Sequence, residues 1–249
     1  MKIAVILPSY NEMPNISQGV LEDVWGYLSH QSYDFELLLS DDGSTDGTAH
    51  KLDEFAKSHK DVRVLHLPHR GKGPTVLDAL EQSKGELALF TDFDQATPIS
   101  ELEKLLPYVQ QGFEVVIGSR ELAGSKRQKE PIHRHIMGKA FNFLVQLIAI
   151  RGIHDTQCGF KLFSRKAIQE LAPRVFVYRK GGKEGGAYTG AFDVELLFLA
   201  RKFGYKIAEV PIAWKHVKTD RVNPVRDSLR MLRDISRIRL ADLQGRYEK

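Results

Sequence analysis

Five short apolar runs mark the first half of the chain: Lys2–Leu7 (KIAVIL), Phe35–Leu39 (FELLL), Val62–Leu67 (VRVLHL), Glu86–Phe90 (ELALF) and Glu114–Ile117 (EVVI). Most are too continuously apolar for strands with one wet face, so they predict strands covered on both sides. Helical patterns lie between them, over about 14–30, 46–58, 72–83 and 100–111, the second opened by the cap-like Ser44 and Asp46. Strand alternating with helix predicts an α/β fold built on a parallel, doubly wound sheet. Such sheets bind ligands in the crevice beyond the carboxyl ends of their strands.

The polar residues fall where that rule needs them. PSYNE (8–12), SDDGSTDG (40–47), HRGKG (69–73), DFD (92–94) and GSR (118–120) each follow a predicted strand, so the five clusters converge on one edge. In an extended Asp-X-Asp, Asp92 and Asp94 point to the same side. Converging carboxylates suit Mg²⁺ or Mn²⁺, which complete an octahedral oxygen shell with water and phosphate. A lone Asp-X-Asp is more often a solvated turn; the four companion clusters reverse that balance. Asp41 is read as satisfying backbone donors at its strand end, leaving Asp42 free to accept from a ribose or base. Pro8 stiffens the first turn, Tyr10 offers a stacking face and Glu12 an acceptor. Arg70, Lys72 and the glycines around Lys72 suit phosphate at a helix start. The spacing is not that of a nucleotide-hydrolysing phosphate loop.

Composition adds bounds. With 249 residues, 42% of them apolar, the chain can form a sizeable core. Its single cysteine, Cys158, cannot form an internal disulfide. The N-terminus does not resemble a secretory leader, and the expected setting is reducing and cytoplasmic. The longest apolar stretch, Ala140–Ile150, is short of the roughly 20 residues that span a bilayer. The net charge of +4 is uneven: residues 201–249 hold 13 Lys+Arg against 6 Asp+Glu. Within that basic part, at about 100° per residue, Val225, Leu229, Leu232, Ile235, Leu240 and Leu243 fall on one arc, with Met231 and Ile238 at its margin. Arg226, Arg230, Arg233 and Arg237 form a separate stripe. The pattern suits an interfacial helix or a terminal helix packed on the domain, and both can hold. Nucleic-acid binding is disfavoured, because no aromatics are interleaved with the basic residues. The glycine-rich Lys180–Gly190 suits a surface loop.

Together these residues resemble an inverting glycosyltransferase of family 2, with the GT-A fold. GKGPTV (71–76), RGIHDTQCGFKLF (151–163) and AFDVELLFLA (191–200) look like the corresponding motifs of dolichyl-phosphate β-glucosyltransferases; mannosyl relatives come next. The resemblance implies a nucleotide sugar donor, UDP-glucose with GDP-mannose as the alternative, and a dolichyl or undecaprenyl phosphate acceptor at a membrane surface reached peripherally from the cytoplasmic side. It implies that Pro8, Tyr10, Glu12 and Asp42 hold the nucleoside, that Lys72 lies near the diphosphate, and that Asp92 and Asp94 serve a Mg²⁺ or Mn²⁺ ion. Mannosyl relatives carry a further Gln ligand two residues after the second Asp, where this chain has Ala96. For the acceptor phosphate the expected cations are Arg120, at a strand end, and Arg134, at the family's acceptor-side position; Lys126, Arg127 and Lys139 are weaker candidates, with a solvated surface role as the alternative for each. Asp155 and Asp193 are expected to accept from sugar hydroxyls, with helix capping as the alternative for Asp193. The expected division is a catalytic domain over 1–220 and a basic amphipathic helix over 221–249. A sugar-nucleotide-forming nucleotidyltransferase is disfavoured, because PSYNE replaces the glycine-rich loop such enzymes place after the first strand. A binding protein without turnover is disfavoured because every assigned acidic and basic position is occupied.

Overall fold

The computed structural model of the protein describes residues 1–127, 145, 146, 149–179, 191–217 and 224–248, with side chains of the last segment described from Leu229 onward. Arg134, Lys139, the Lys180–Gly190 segment, most of Ala140–Ile150, and the side chains of Val225 and Arg226 lie outside the described residues. Each predicted strand forms: β1 (Lys2–Ser9), β2 (Asp34–Asp41), β3 (Val62–His66), β4 (Leu87–Thr91) and β5 (Val115–Ser119). Two more, β7 (Phe160–Ser164) and β8 (Ile207–Pro211), complete a seven-stranded sheet of order β3-β2-β1-β4-β7-β5-β8. A separate two-stranded ribbon pairs β6 (Lys126–Arg127) with β9 (Ala213–Trp214).

The sheet is not wholly parallel. β7 runs antiparallel to both neighbours, β4 and β5, whereas the other pairings are parallel. Its sequence, FKLFS, carries a lysine among apolar residues, which hides the strand pattern. Inserting it keeps β4 and β5 pointing the same way, so all five polar clusters do reach one edge.

Burial on both faces follows the period-two alternation of a strand. Ile3, Val5 and Leu7 enter a core with α2 (Val20–Ser29), α3 (Thr48–Ser58) and α5 (Leu102–Gln110). Ala4 and Ile6 enter the other, with α4 (Lys72–Gln82), α6 (Arg165–Leu171) and α7 (Phe192–Lys202). The helix predicted over 14–30 is broken in two: α1 (Met13–Ile16) and α2 are separated by Gly19, whose φ of 83° is left-handed. The N-cap of α3 is Gly47, not Ser44 or Asp46; Asp46, just before it, accepts from the Thr48 amide at 3.0 Å.

The C-terminal helix α8 (Pro224–Leu243) divides its apolar residues between two environments. Ile235, Ile238 and Ala241 are buried in the same core as α7, so no break in packing separates this helix from the sheet domain. Leu229, Leu240 and Leu243 are exposed. Polar contacts tie the same region down. Glu195 on α7, fully buried, accepts from the amides of Phe176 and Val177 at 2.7 and 2.9 Å and from Tyr247 Oη at 2.7 Å. Tyr178 Oη accepts from the Ala191 amide and donates to Asp234 on α8. Burial raises the Glu195 pKa, and these donors oppose the rise.

Truncation should separate the two environments. Ile238→Ala should cost about 2–5 kcal/mol in urea unfolding, and Leu243→Ala less than about 0.5 kcal/mol. Equal, small losses at both positions would mean that α8 is not part of the core.

Candidate active site

The site is assembled from the strand ends outward. At the end of β2, Asp41 accepts from the Ser44 amide at 3.1 Å, as the reading of a strand-end acceptor requires. Gly43 has φ 72°, and a Cβ there would lie 3.0 Å from the His69 amide nitrogen, which favours glycine on both counts. Asp42 differs from expectation. Its carboxylate is not held free for a nucleoside: it accepts from the amides of Arg70 and Gly71 at 2.8 and 2.9 Å and contacts His69 Nδ1 at 2.8 Å. Asp42 therefore fastens the β3–α4 loop, since buried acceptors must be paired. His69, which the sequence did not single out, stacks on Tyr10 with ring centroids 4.2 Å apart and planes 12° from parallel. Pro8 lies inside β1, buried, and does not form the turn after it. Glu12 is buried and accepts from Asn15 Nδ2; its charge is felt at Asp94.

Asp92 and Asp94 follow β4 in a turn closed by the Gln95 amide on the Asp92 carbonyl at 3.2 Å, not in the extended conformation the spacing suggested. They nevertheless share one cation. Lys72, the first residue of α4, donates to Asp92. Burial alone would depress the Lys72 pKa, but Asp92 first, then Asp193 and Asp94, raise it and keep the ammonium charged. Asp94 is pushed up by burial and by the neighbouring Asp92, against the Ala96 amide and the Lys72 charge. Gly159 permits this packing: a Cβ there would lie 2.2 Å from Asp92 Oδ2. Its carbonyl accepts from the Asp92 amide at 3.1 Å.

These residues fit a hard divalent cation. Both carboxylates are oxygen donors, and Gln95 Oε1, buried in the same turn, has no hydrogen-bond partner. Among the described residues no cluster of three His, Cys, Asp or Glu side chains forms a complete cage. A two-carboxylate site completed by water and substrate phosphates is the usual Mg²⁺ arrangement.

The remaining expected residues pair with one another. The guanidinium of Arg120 binds the Asp155 carboxylate through Nε at 2.7 Å and a second nitrogen at 2.9 Å, and the Arg120 amide adds a third bond at 2.9 Å. Arg120 and Asp155, expected at an acceptor phosphate and a sugar hydroxyl, are thus joined to each other in a two-pronged ion pair. Burial would raise the Asp155 pKa; the Arg120 charge and hydrogen bonds outweigh it and hold the carboxyl at about 2. Asp193 sits in the first turn of α7 but caps nothing: it accepts from Lys161 Nζ at 2.9 Å. Lys161 is fully buried, also donates to the Cys158 carbonyl and lies 5.4 Å from the Phe90 ring centroid. A lysine inside the apolar run FKLF was the available signal for this buried cation.

Comparisons with known proteins agree with this geometry. A family model described as Glycosyl transferase family 2 matches residues 4–172. A dolichyl-phosphate beta-glucosyltransferase of Dictyostelium discoideum is 32% identical, across 98% of this chain and 75% of that protein. One from Homo sapiens is 31% identical, across 99% and 77%. Among solved structures, glucosyl-3-phosphoglycerate synthase from Mycobacterium tuberculosis in complex with UDP superposes with a TM-score of 0.64 at 21% identity, covering 99% of this chain and 80% of that one. Mannosyl-3-phosphoglycerate synthase from Rubrobacter xylanophilus gives 0.66 at 17% identity, covering 100% and 76%. Other structures of the mycobacterial enzyme contain UDP with Mn²⁺ or Mg²⁺.

The Arg120–Asp155 pair makes a stability prediction with a definite sign. A carboxyl whose folded pKa is depressed to about 2 stabilises the fold above its unfolded value of about 3.9, and that contribution disappears as pH falls through the folded value. Unfolding free energy should therefore drop between about pH 4 and pH 2, and Asp155→Asn should lack that component. At neutral pH, Asp155→Ala should cost about 3–5 kcal/mol by stranding the Arg120 charge. Identical acid profiles for wild type and Asp155→Asn would refute the pairing.

Proposed function

The chain belongs to glycosyl transferase family 2, with the GT-A fold, and from that membership and the geometry of the site we propose that it transfers glucose from UDP-glucose to the phosphate of a polyprenyl lipid of the dolichyl type, inverting the anomeric centre. The observation that carries the reading is the near full-length likeness to dolichyl-phosphate beta-glucosyltransferases, joined to a strand-end Asp-X-Asp paired with a helix-start lysine. The glucose-specific names of those relatives favour UDP-glucose over GDP-mannose.

The chemistry asks little of the protein beyond placement. A phosphate monoester has a second pKa of about 6 and is already largely ionised at neutral pH, so no general base is required. That agrees with Asp193 being held by Lys161 instead of standing free. Tyr10 and His69 present an aromatic stack beside the strand ends for the base, and Lys72 supplies positive charge where the leaving nucleoside diphosphate develops negative charge. Asp92 and Asp94 would hold Mg²⁺ or Mn²⁺, which supplies charge neutralisation of the diphosphate. The acceptor oxygen attacks from the face opposite the departing diphosphate.

The acceptor's chain stays in the bilayer, and among the described residues no helix is long and apolar enough to cross it. The outward face of α8 supports peripheral attachment. Leu229, Leu240 and Leu243 are exposed there, and Arg233 and Arg237 are more than half exposed alongside them.

Purified protein given UDP-glucose, polyprenyl phosphate and Mg²⁺ or Mn²⁺ should move labelled glucose into an organic-extractable lipid. Asp94→Asn should lower that rate by about 10²-fold or more without loss of fold. Transfer of mannose from GDP-mannose in place of glucose would reassign the donor; no lipid product from either would refute the acceptor.

A further inference from the structure

Lys161 carries an ammonium group where solvent does not reach it: the residue is 0% exposed, inside β7, between Phe160 and Leu162. Its nitrogen donates to Asp193 at 2.9 Å and to the Cys158 carbonyl, and lies 5.4 Å from the Phe90 ring centroid. At that burial it can touch neither donor nor acceptor. Stability gives no reason for the charge either, because a well-packed apolar side chain of similar volume serves a buried position as well as an ion pair does. The reason has to be sought in what its partner faces.

Asp193 stands in the first turn of α7, and that turn abuts the first turn of α4: a Cβ on Gly73 would lie 3.1 Å from the Cβ of Phe192. Lys72, next to Gly73, therefore feels carboxylates from two elements. Burial opposes its charge; Asp92 supports that charge most, and Asp193 and Asp94 follow. Asp92, Asp94 and Asp193 thus share the ammonium groups of Lys72 and Lys161. A buried carboxylate stripped of its partner is strongly unfavourable and draws on any cation within reach. Without Lys161, the cation beside Asp193 is Lys72.

We propose that Lys161 is a positioning residue for nucleotide binding: by occupying Asp193 it leaves the Lys72 ammonium at the Asp-X-Asp turn, where the donor diphosphate binds. The inference rests on the nucleotide-sugar reading and deepens it. Lys161 acts through Asp193 and Lys72 and contacts no ligand. What harms binding in its absence is the bare Asp193 carboxylate, so removing that carboxylate as well repairs the site.

The test is equilibrium dialysis of labelled UDP against the full chain in Mn²⁺ at pH 8, with near-ultraviolet circular dichroism of each variant to report its fold. UDP carries the diphosphate and lacks the sugar, so a contact between Asp193 and a sugar hydroxyl does not enter. Lys161→Met should weaken UDP binding by about tenfold or more. The double variant Lys161→Met/Asp193→Asn should return to within about threefold of wild type, and Asp193→Asn alone should stay within the same range. A double variant no better than Lys161→Met would overturn the proposal, because Lys161 would then act by packing alone. So would wild-type affinity in Lys161→Met. If Lys161→Met does not fold, the two variants carrying Asp193→Asn decide: a tenfold loss in either would mean that Asp193 itself serves the nucleotide, and the proposal would fall. In the transfer reaction the Lys161→Met defect should raise the donor KM and leave the acceptor KM unchanged. Absence of lipid product with the UDP pattern intact would refute the proposed function alone. Glucose transfer by wild type, with UDP affinity indifferent to Lys161→Met, would refute the role of Lys161 alone.

Discussion

The arrangement of this molecule depends on meeting the charge of carboxylates gathered at the end of a strand covered on both faces. Asp92 and Asp94 emerge from β4, and Asp193 approaches from the first turn of α7. Desolvation at such a place is expensive unless cations compensate it. Lys72 meets Asp92 from the start of α4, and Lys161 meets Asp193 from the middle of β7. Four elements are thereby indexed to one electrostatic cluster. Close approach is possible because Gly159 presents no Cβ to Asp92. A nucleoside diphosphate with its divalent ion is the kind of ligand that rebalances such a cluster, bringing both signs of charge at once.

Much of this was legible in the sequence because periodicity reports backbone placement well. Continuous apolar runs predicted strands covered on both faces, and the polar clusters after them predicted the working edge; both follow from the side-chain alternation that puts Ile3, Val5 and Leu7 in one core and Ala4 and Ile6 in the other. Lys72 and the Asp-X-Asp were recognisable by residue type and position. What the sequence concealed were pairings. Arg120 and Asp155 each looked available for substrate, but lie 35 positions apart and close on one another only when β5 and the segment before β7 are neighbours. Asp42 looked free because nothing local marks the amides of residues 70 and 71 as its donors. β7 was missed because its lysine interrupts an apolar run, and only the fold provides Asp193 and the Cys158 carbonyl that make a buried ammonium tolerable.

The C-terminal helix connects the strand-end site to the outer surface of the domain. Tyr178 bridges the Ala191 amide and Asp234, and Tyr247 closes on Glu195, so α8 and the chain end brace the start of α7, where Asp193 stands. The inward residues Ile235 and Ile238 perform the packing. That frees the outward leucines and arginines for a surface, and a helix rigidly attached to the catalytic domain would fix the distance between that surface and the strand-end site.

A donor site at Asp92 and Asp94 completed by a divalent ion, as proposed above, makes nucleotide-sugar binding depend on that ion. The most direct measurement is calorimetric titration of UDP-glucose into the protein with and without Mn²⁺, repeated with Asp94→Asn. Mn²⁺ should tighten binding by about tenfold or more in the wild type and have no effect in the variant. Equal affinity with and without Mn²⁺, unchanged by Asp94→Asn, would contradict it.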